Sequence, residues 1–508
     1  MFSSQNSGID IDVPKLQRRL KTKPEAYWMR RGERMALELF QAMAKRVPAY
    51  KDFLAKNNID PRKVKQAADL SEVTPVDKDN YLRQYDRALL CWDGRFKEEN
   101  WVISSTSGST GQPFYFPRQY AQDKQYADMA ELYLRENFKL QDKSTLYIVA
   151  FPMGAWIGGV FTYQALQIVA SRGYELSIIT PGVHKGEIIN AIKNLADDFD
   201  QIIIGSYGPF LKDILDDGVR AGIDWKRYNL GFILSAEVIS ETFRDYIAKK
   251  TGIDILTGSL NHYGTVDLGT MAHETPISIL MRRRAVENST LYNDIFGDIT
   301  KLPTLAQYLP ELFYFETAGG NLYCSANSGI PLVRYDLKDH GGLLTLTEID
   351  DLSRRYDLGV EQVLQTSGAA DSIWNLPFVY VYERSDFSVS FFGFQIYPET
   401  IRRALQSEVF ESDITGKFTM EVAYSEEGRQ QLTIHIELMA ERSPSTALRR
   451  ALEQVLVRQL LEESSEYRET HKHYKSDVRP HVKLWNYEHD TYFKSGTKQQ
   501  WIKREPKP

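Results

Sequence analysis

The sequence predicts an α/β chain, with a large N-terminal unit built on mostly parallel strands and a small C-terminal α+β unit. Two patterns carry that expectation. Between about residues 103 and 260, short apolar runs alternate with amphipathic helical runs, the spacing of repeated strand–helix units. Near the C-terminus, a cleanly alternating stretch is followed by a helical one and a last apolar run, giving β-β-α-β order. A chain of 508 residues, 42% hydrophobic and 26% charged, is long enough for more than one core and is not disordered throughout.

The first hundred residues read as helices. Residues 27–44 carry Met35, Leu39, Ala42 and Met43 at helical spacing and stop before Val47-Pro48, where proline resists continuation. Strands are expected at 146–151, 176–180, 201–205 and 230–234, with helices at 187–196, 210–221 and 240–251. These strands are continuous apolar runs, as parallel strands covered on both faces require. Residues 146–170 contain no charge and have the length of a membrane span, but Pro152, Gly154, Gly158 and Gly159 interrupt them. They read as a buried strand, a glycine-rich turn and a buried helix over 160–170. Beyond residue 254 the strands shorten, at 312–316, 322–325 and 343–347. In the closing unit 420–424 is expected to pair with 431–439, where Leu432, Ile434, Ile436 and Leu438 share one face. A helix over 445–462 repeats Leu448, Leu452, Val455, Leu456 and Leu460, and 481–487 is a last strand.

Lys and Arg minus Asp and Glu is 62 − 68 = −6, so no overall basic field gathers nucleic acid or an anionic membrane, and neither is expected as a partner. Two cysteines, Cys91 and Cys324, exclude a disulfide framework. The first twelve residues lack the apolar run of a signal peptide, and a reducing, cytoplasmic location is expected.

Three segments carry chemistry. The first is Ser104-Ser105-Thr106-Ser107-Gly108-Ser109-Thr110-Gly111-Gln112-Pro113, in which hydroxyls and two glycines let backbone N–H groups converge on a polyphosphate. Taken alone it reads equally as a flexible linker, and it is not a Walker sequence, which needs Gly-Lys-Ser/Thr. The second, Asn261-His262-Tyr263-Gly264-Thr265-Val266-Asp267-Leu268-Gly269, brings together an aromatic ring, a glycine and a carboxylate. It can line a nucleotide ring and meet a divalent metal through Asp267; alone it is a turn with an acidic residue. The third, Pro331-Leu332-Val333-Arg334-Tyr335-Asp336-Leu337-Lys338-Asp339, ends on a carboxylate able to accept from two vicinal ribose hydroxyls. Alone it is a salt-bridged surface strand. Arg282-Arg283-Arg284 reads as a solvated face, with the phosphate of an acceptor molecule as the functional alternative. His471 and His473, with His481 nearby, read as part of a solvated loop over 462–477 rather than a metal site.

In this order the three segments resemble the adenylate-forming superfamily, specifically its phenylacetate–CoA ligase-like branch. Members read approximately Ser-Ser-Gly-Thr-Thr-Gly-Lys-Pro, then Tyr-Gly-x-Ser/Thr-Glu, then Arg-Tyr-Arg-Thr-x-Asp. Gly154-Ala155-Trp156-Ile157-Gly158-Gly159 is similar to the branch's aromatic-Gly-Gly segment, and Leu234-Ser235-Ala236-Glu237 to its Gly-Ala-Glu segment. Residues 47–50 and 70–78, the latter ending on Asp77-Lys78, look like the family's N-terminal helices. Arg384-Ser385-Asp386 with 393–399 resembles the hinge, and Ser495-Gly496-Thr497-Lys498 the terminal Gly-Lys loop.

The resemblance implies an adenylation domain over 1–385, with a helical start at 1–100 and a core at 101–385, and a mobile lid over 386–508. It implies ATP binding by Ser105, Thr106, Ser107, Gly108, Ser109, Thr110, Gly111, Ala236, Glu237, His262, Tyr263, Gly264 and Thr265, with Asp339 and Arg384 at the ribose. Asp267 would meet Mg²⁺, Lys498 the α-phosphate (with Lys494 as its rival), and Asp386 would be the pivot. Trp156, Ile157, Ser235, Ala236 and Tyr263 would line the pocket of an aromatic or other apolar carboxylic acid. The implied activity is ATP-dependent formation of an acyl-adenylate followed by transfer to the thiol of CoA. Transfer to an amine or to a carrier protein, or a catalytically weakened nucleotide-binding relative, are the alternatives. The last is motivated by departures: Gln112 replaces a lysine, Val266 a hydroxyl residue, Asp267 a longer glutamate, and Glu383 the hinge glycine.

Overall fold

The computed structural model describes residues 11–105, 114–155, 157–236, 238–297, 302–382, 389–391, 394–424, 430–464, 467–468, 471–472, 478–494 and 502–503. Its first helices, Val13–Thr22, Glu25–Arg46 and Pro48–Lys56, follow the apolar spacing of the sequence, and Pro48 starts the third helix where its missing N–H does no harm. A hairpin follows, β1 (Val102–Ser105) and β2 (Tyr115–Arg118), with Ser105 opposite Tyr115.

The large sheet begins with β3 (Thr145–Ala150), β4 (Leu176–Ile179), β5 (Gln201–Ser206), β6 (Leu230–Ser235) and β7 (Ser259–Thr265). It continues through β8 (Gly269–His273), β9 (Thr304–Tyr308), β10 (Tyr314–Ala318), β11 (Asn321–Ala326), β12 (Leu332–Leu344) and β13 (Phe378–Val381). The eleven strands lie in the order β10-β11-β12-β13-β9-β8-β7-β6-β5-β3-β4. The parallel part runs from β4 to β7; from β7 through β8 to β10 the neighbours are antiparallel. Along β3, Leu146, Ile148 and Ala150 pack on helices Lys185–Leu195, Gly208–Arg220 and Glu241–Thr251, while Tyr147 and Val149 face Tyr120–Phe138 and Ile157–Ala170. Helices on both faces explain why these strands read as unbroken apolar runs.

Residues 146–170 fold as β3, a turn and the helix Ile157–Ala170. Among the described residues no helix is long and apolar enough to cross a membrane.

One expected strand is corrected. Of residues 343–347 only Leu343 and Leu344 are strand, the end of β12; Thr345 caps the helix Leu346–Arg355. The Thr345 hydroxyl accepts from Glu348 N at 3.1 Å, and the Glu348 carboxylate accepts from Thr345 N at 2.7 Å. This reciprocal cap overrides the apolar run. The arginine run is corrected too. On helix Pro276–Glu287, Arg282 is fully buried and Arg283 half-buried, because Glu241 and Glu274 neutralise them from inside.

The C-terminal strands are β14 (Val389–Phe391), β15 (Phe394–Ile396), β16 (Ile414–Tyr424), β17 (Gln430–Leu438), β18 (His481–Trp485) and β19 (Ile502–Lys503). With helices Pro398–Leu405 and Thr446–Glu463 they enclose a core of their own, from Val389 to Val482. β16 and β17 pair antiparallel, and β18 and β19 join their outer edges in parallel. The alternation at Leu432, Ile434, Ile436 and Leu438 places all four in that core. The expected boundary at 385/386 lies outside the described residues.

Candidate active site

The site lies where strands of the parallel part end and β12 passes. Ser105, buried at the end of β1, donates its N–H to Ala155 O at 2.8 Å, tying the start of the Ser/Thr/Gly segment to the turn before helix Ile157–Ala170. Thr106, Ser107, Gly108, Ser109, Thr110, Gly111 and Gln112 lie outside the described residues, as do Trp156, Glu237, Glu383, Arg384, Asp386 and Lys498. The mouth of this hairpin is braced by Arg118, which donates to Ser104 Oγ at 3.0 Å, Asp123 Oδ1 at 2.6 Å and Gln164 Oε1 at 2.8 Å.

β6 and β7 are in register with Ser235 opposite His262, so the loop that leaves β6 through Ala236 starts beside Tyr263. Ala236 is exposed and has φ of +74°, a left-handed conformation that a residue with a Cβ holds only under constraint from its surroundings. Gly264 has to be glycine: a Cβ there would lie 2.7 Å from Gly269 O across the β7–β8 turn. The Thr265 hydroxyl accepts from Leu268 N at 3.2 Å and shapes the same turn.

Two residues far apart in sequence meet here. The Tyr263 hydroxyl donates to Asp339 Oδ2 at 2.7 Å, and both side chains are buried. The Asp267 carboxylate, 8% exposed, accepts from the Tyr335 hydroxyl at 2.6 Å and pairs with Lys78 Nζ at 3.3 Å. Lys78 was not singled out as a site residue from sequence, although the 70–78 segment carried part of the resemblance. It arrives because Val76 bridges to β12: Val76 N donates to Arg334 O at 3.1 Å and Asp336 N to Val76 O at 2.9 Å.

Beside Asp267 opens a small cleft. Ile157, Phe161, Phe116 and Phe313 form its apolar side, and Gln122 and Gln125 its polar side. Of the residues expected around the acid, Ile157 lines this cleft. Ser235 instead lines a second cavity between the two units, and Tyr263 packs against Phe315 with ring centroids 6.2 Å apart. Lys494 is exposed, just before the undescribed residues 495–501. Among the described residues no three His, Cys, Asp or Glu side chains gather as a metal site. His473 lies outside them, and Cys91 and Cys324 are buried free thiols.

His262 points away from Tyr263, into the sheet's other face, with its ring centroid 5.0 Å from Tyr133 and 6.5 Å from His273. Burial, with His273 nearby, pushes His262 down to about 3, and burial pushes His273 down to about 3. The unfolded chain, whose histidines titrate near 6.5, binds more protons than the folded one between those values. Their contribution to stability is therefore full above about pH 6.5 and is lost as pH falls towards 3. The denaturant midpoint is expected to drop from pH 7 to pH 4, and His262→Phe combined with His273→Phe to flatten that drop. An unchanged slope in the double variant rejects the assignment.

No family model matches the sequence, and no curated protein matches it either. Solved structures show the fold: the chain is folded like 2-hydroxyisobutyryl-CoA ligase, an enzyme captured with acyl-adenylates. It is similar to 2-hydroxyisobutyryl-CoA ligase in the postadenylation state in complex with R3-HIB-AMP, with TM-score 0.67 and 13% identity over 99% of this chain and 95% of that chain. The same ligase in the postadenylation state with 2-HIB-AMP gives TM-score 0.64, 13% identity and coverage of 99% and 95%. In complex with 2-HIB-AMP and CoA in the thioesterification state it gives 0.55, 13% identity and coverage of 99% and 94%.

Proposed function

We propose that the chain activates a carboxylic acid with ATP, forming an acyl-adenylate and pyrophosphate, and then transfers the acyl group to the thiol of CoA. The pairing of Tyr263 with Asp339 and of Asp267 with Lys78 and Tyr335, between β7 and β12, is the observation that supports this reading most. In the first step a carboxylate oxygen attacks the α-phosphorus. The bond from that phosphorus to the bridging oxygen breaks, and pyrophosphate leaves with the electron pair. Two anions must approach, so preplaced cations and N–H donors lower the barrier.

Asp339, oriented by the Tyr263 hydroxyl, accepts from the ribose hydroxyls together with Arg384. The 106–113 loop surrounds the phosphates. Lys78 supplies a cation where Gln112 leaves none, and Lys498 meets the α-phosphate. Mg²⁺, when bound, neutralises charge on the phosphoryl oxygens. Asp267 would hold it, since one carboxylate suffices for an ion whose other ligands are phosphate oxygens and water. The acid's body lies against Phe116, Ile157, Phe161 and Phe313, and Gln122 and Gln125 meet hydrogen-bonding groups on it. In the second step the CoA sulfur attacks the acyl carbon and AMP leaves, after the small unit has turned about Asp386 and withdrawn Lys498.

Pyrophosphate release from a panel of carboxylic acids, with and without CoA or amines, tests the reading. Turnover with CoA supports it, and turnover with amines but not CoA replaces it with amide formation. ATP binding with no turnover leaves a nucleotide-binding protein. Lys498→Ala is expected to abolish pyrophosphate release while leaving the unfolding midpoint intact. Near-normal release would move the role to Lys494.

A further inference from the structure

The loop after β6 is gripped from both units at consecutive residues. From the large unit, Arg282 Nη2 donates to Ile239 O at 2.6 Å. From the small unit, Arg402 Nη1 donates to Val238 O at 3.0 Å. The next residue, Ser240, donates its hydroxyl to Gln406 Oε1 at 2.6 Å and accepts from Phe243 N at 3.1 Å as the cap of helix Glu241–Thr251. The two arginines differ in what anchors them. Arg282 is fully buried and held by Glu274 at 2.6 Å and Glu241 at 2.9 Å, all within the large unit. Arg402 is also buried, but its partner Glu399, at 2.6 Å, belongs to the same small-unit helix, Pro398–Leu405. Turning the small unit leaves the Arg282 contact in place and withdraws those of Arg402 and Gln406.

We propose that Arg402 is a positioning residue that couples docking of the small unit to nucleotide binding, by fixing the loop that carries Ala236 and Glu237. This rests on the proposed reading of that loop as a wall of the ATP site. Docking is also held by ion pairs that do not involve the loop's own residues, Lys417 with Asp213 and Lys185 with Glu488. Arg402 therefore acts on the loop and is not the sole contact between the units. A guanidinium donating to a carbonyl is a charge-assisted bond whose loss weakens an equilibrium by about tenfold or more.

The experiment uses the full chain. ATP affinity is measured by calorimetry for the wild type and for Arg402→Met, and acyl transfer from supplied acyl-adenylate to CoA is measured alongside. The expected result is an ATP Kd about tenfold higher in Arg402→Met, with transfer at saturating adenylate not slowed. Gln406→Ala, which releases only the Ser240 contact, is expected to raise the Kd by a smaller factor. An unchanged Kd in Arg402→Met, or an equal fall in binding and transfer, overturns the coupling and leaves the proposed function standing. A wild type that does not bind ATP overturns both. Should Arg402→Met fail to fold, Arg402→Lys keeps the charge and shortens the reach, and an unchanged Kd there overturns the coupling.

Discussion

Glu274→Ala is expected to destabilise the protein by about 3–5 kcal/mol, the range for removing one partner from a buried ion network. Glu274 is fully buried and accepts from three donors: Arg244 Nη2 at 2.8 Å, Arg282 Nη1 at 2.6 Å and Asn261 N at 2.9 Å. Without it, two fully buried guanidiniums, Arg244 and Arg282, share among the described residues only Glu241 as a carboxylate partner. The bond to Asn261 N ties this network to β7, two residues before Tyr263. The loss is therefore expected to reach the site as well, as weaker ATP binding by whatever remains folded. Denaturant unfolding measures the effect, and Glu274→Gln, which keeps the shape and removes the charge, separates charge from packing. A loss below about 1 kcal/mol in Glu274→Ala, the worth of an exposed pair, would show that the arginines find other partners.

Lys78→Met is expected to slow pyrophosphate release by about 10²–10³, the usual penalty for removing one preplaced donor to developing charge. The unfolding midpoint is expected to move little. The ammonium is partly exposed, with a side chain 27% accessible, and Asp267 retains its bond from Tyr335. Single-turnover release at saturating ATP separates this from weakened binding, since removing a cation used only in the transition state lowers the rate and not the affinity. Release within threefold of the wild type would mean that Lys78 merely neutralises Asp267. Asp267→Ala completes the comparison: as the proposed holder of Mg²⁺ it is expected to lose at least as much activity as the lysine variant, and an aspartate variant that keeps more activity would mean that the carboxylate only steadies Lys78.

Much of the frame was legible before any coordinates. The runs at 146–151, 201–205 and 230–234 carry no polar residue that a covered strand could not hide, and each became a strand buried on both faces. The alternation at 431–439 likewise predicted which side of β17 faces the small core. Where local chemistry competed with the pattern, the pattern lost: Thr345 and Glu348 cap a helix over residues that alternate like a strand. The arginine run misled for a related reason. A triplet of charges reads as solvated unless the reader knows that two carboxylates, one 8 residues and one 41 residues away, are folded beneath it.

Residue type and order alone determined the strand–helix alternation, the separate small core and the segments that carry Tyr263 and Asp339, because apolar period and hydrogen-bonding capacity are local properties. Which side chains touch was decided by the tertiary structure. Strand register turned His262 inward while Tyr263 reached Asp339, the bridge from Val76 to β12 delivered Lys78 to Asp267, and docking of the small unit set Arg402 on Val238. Each depends on chain segments tens to hundreds of residues apart, and a one-residue slip in pairing would exchange every inward and outward side chain.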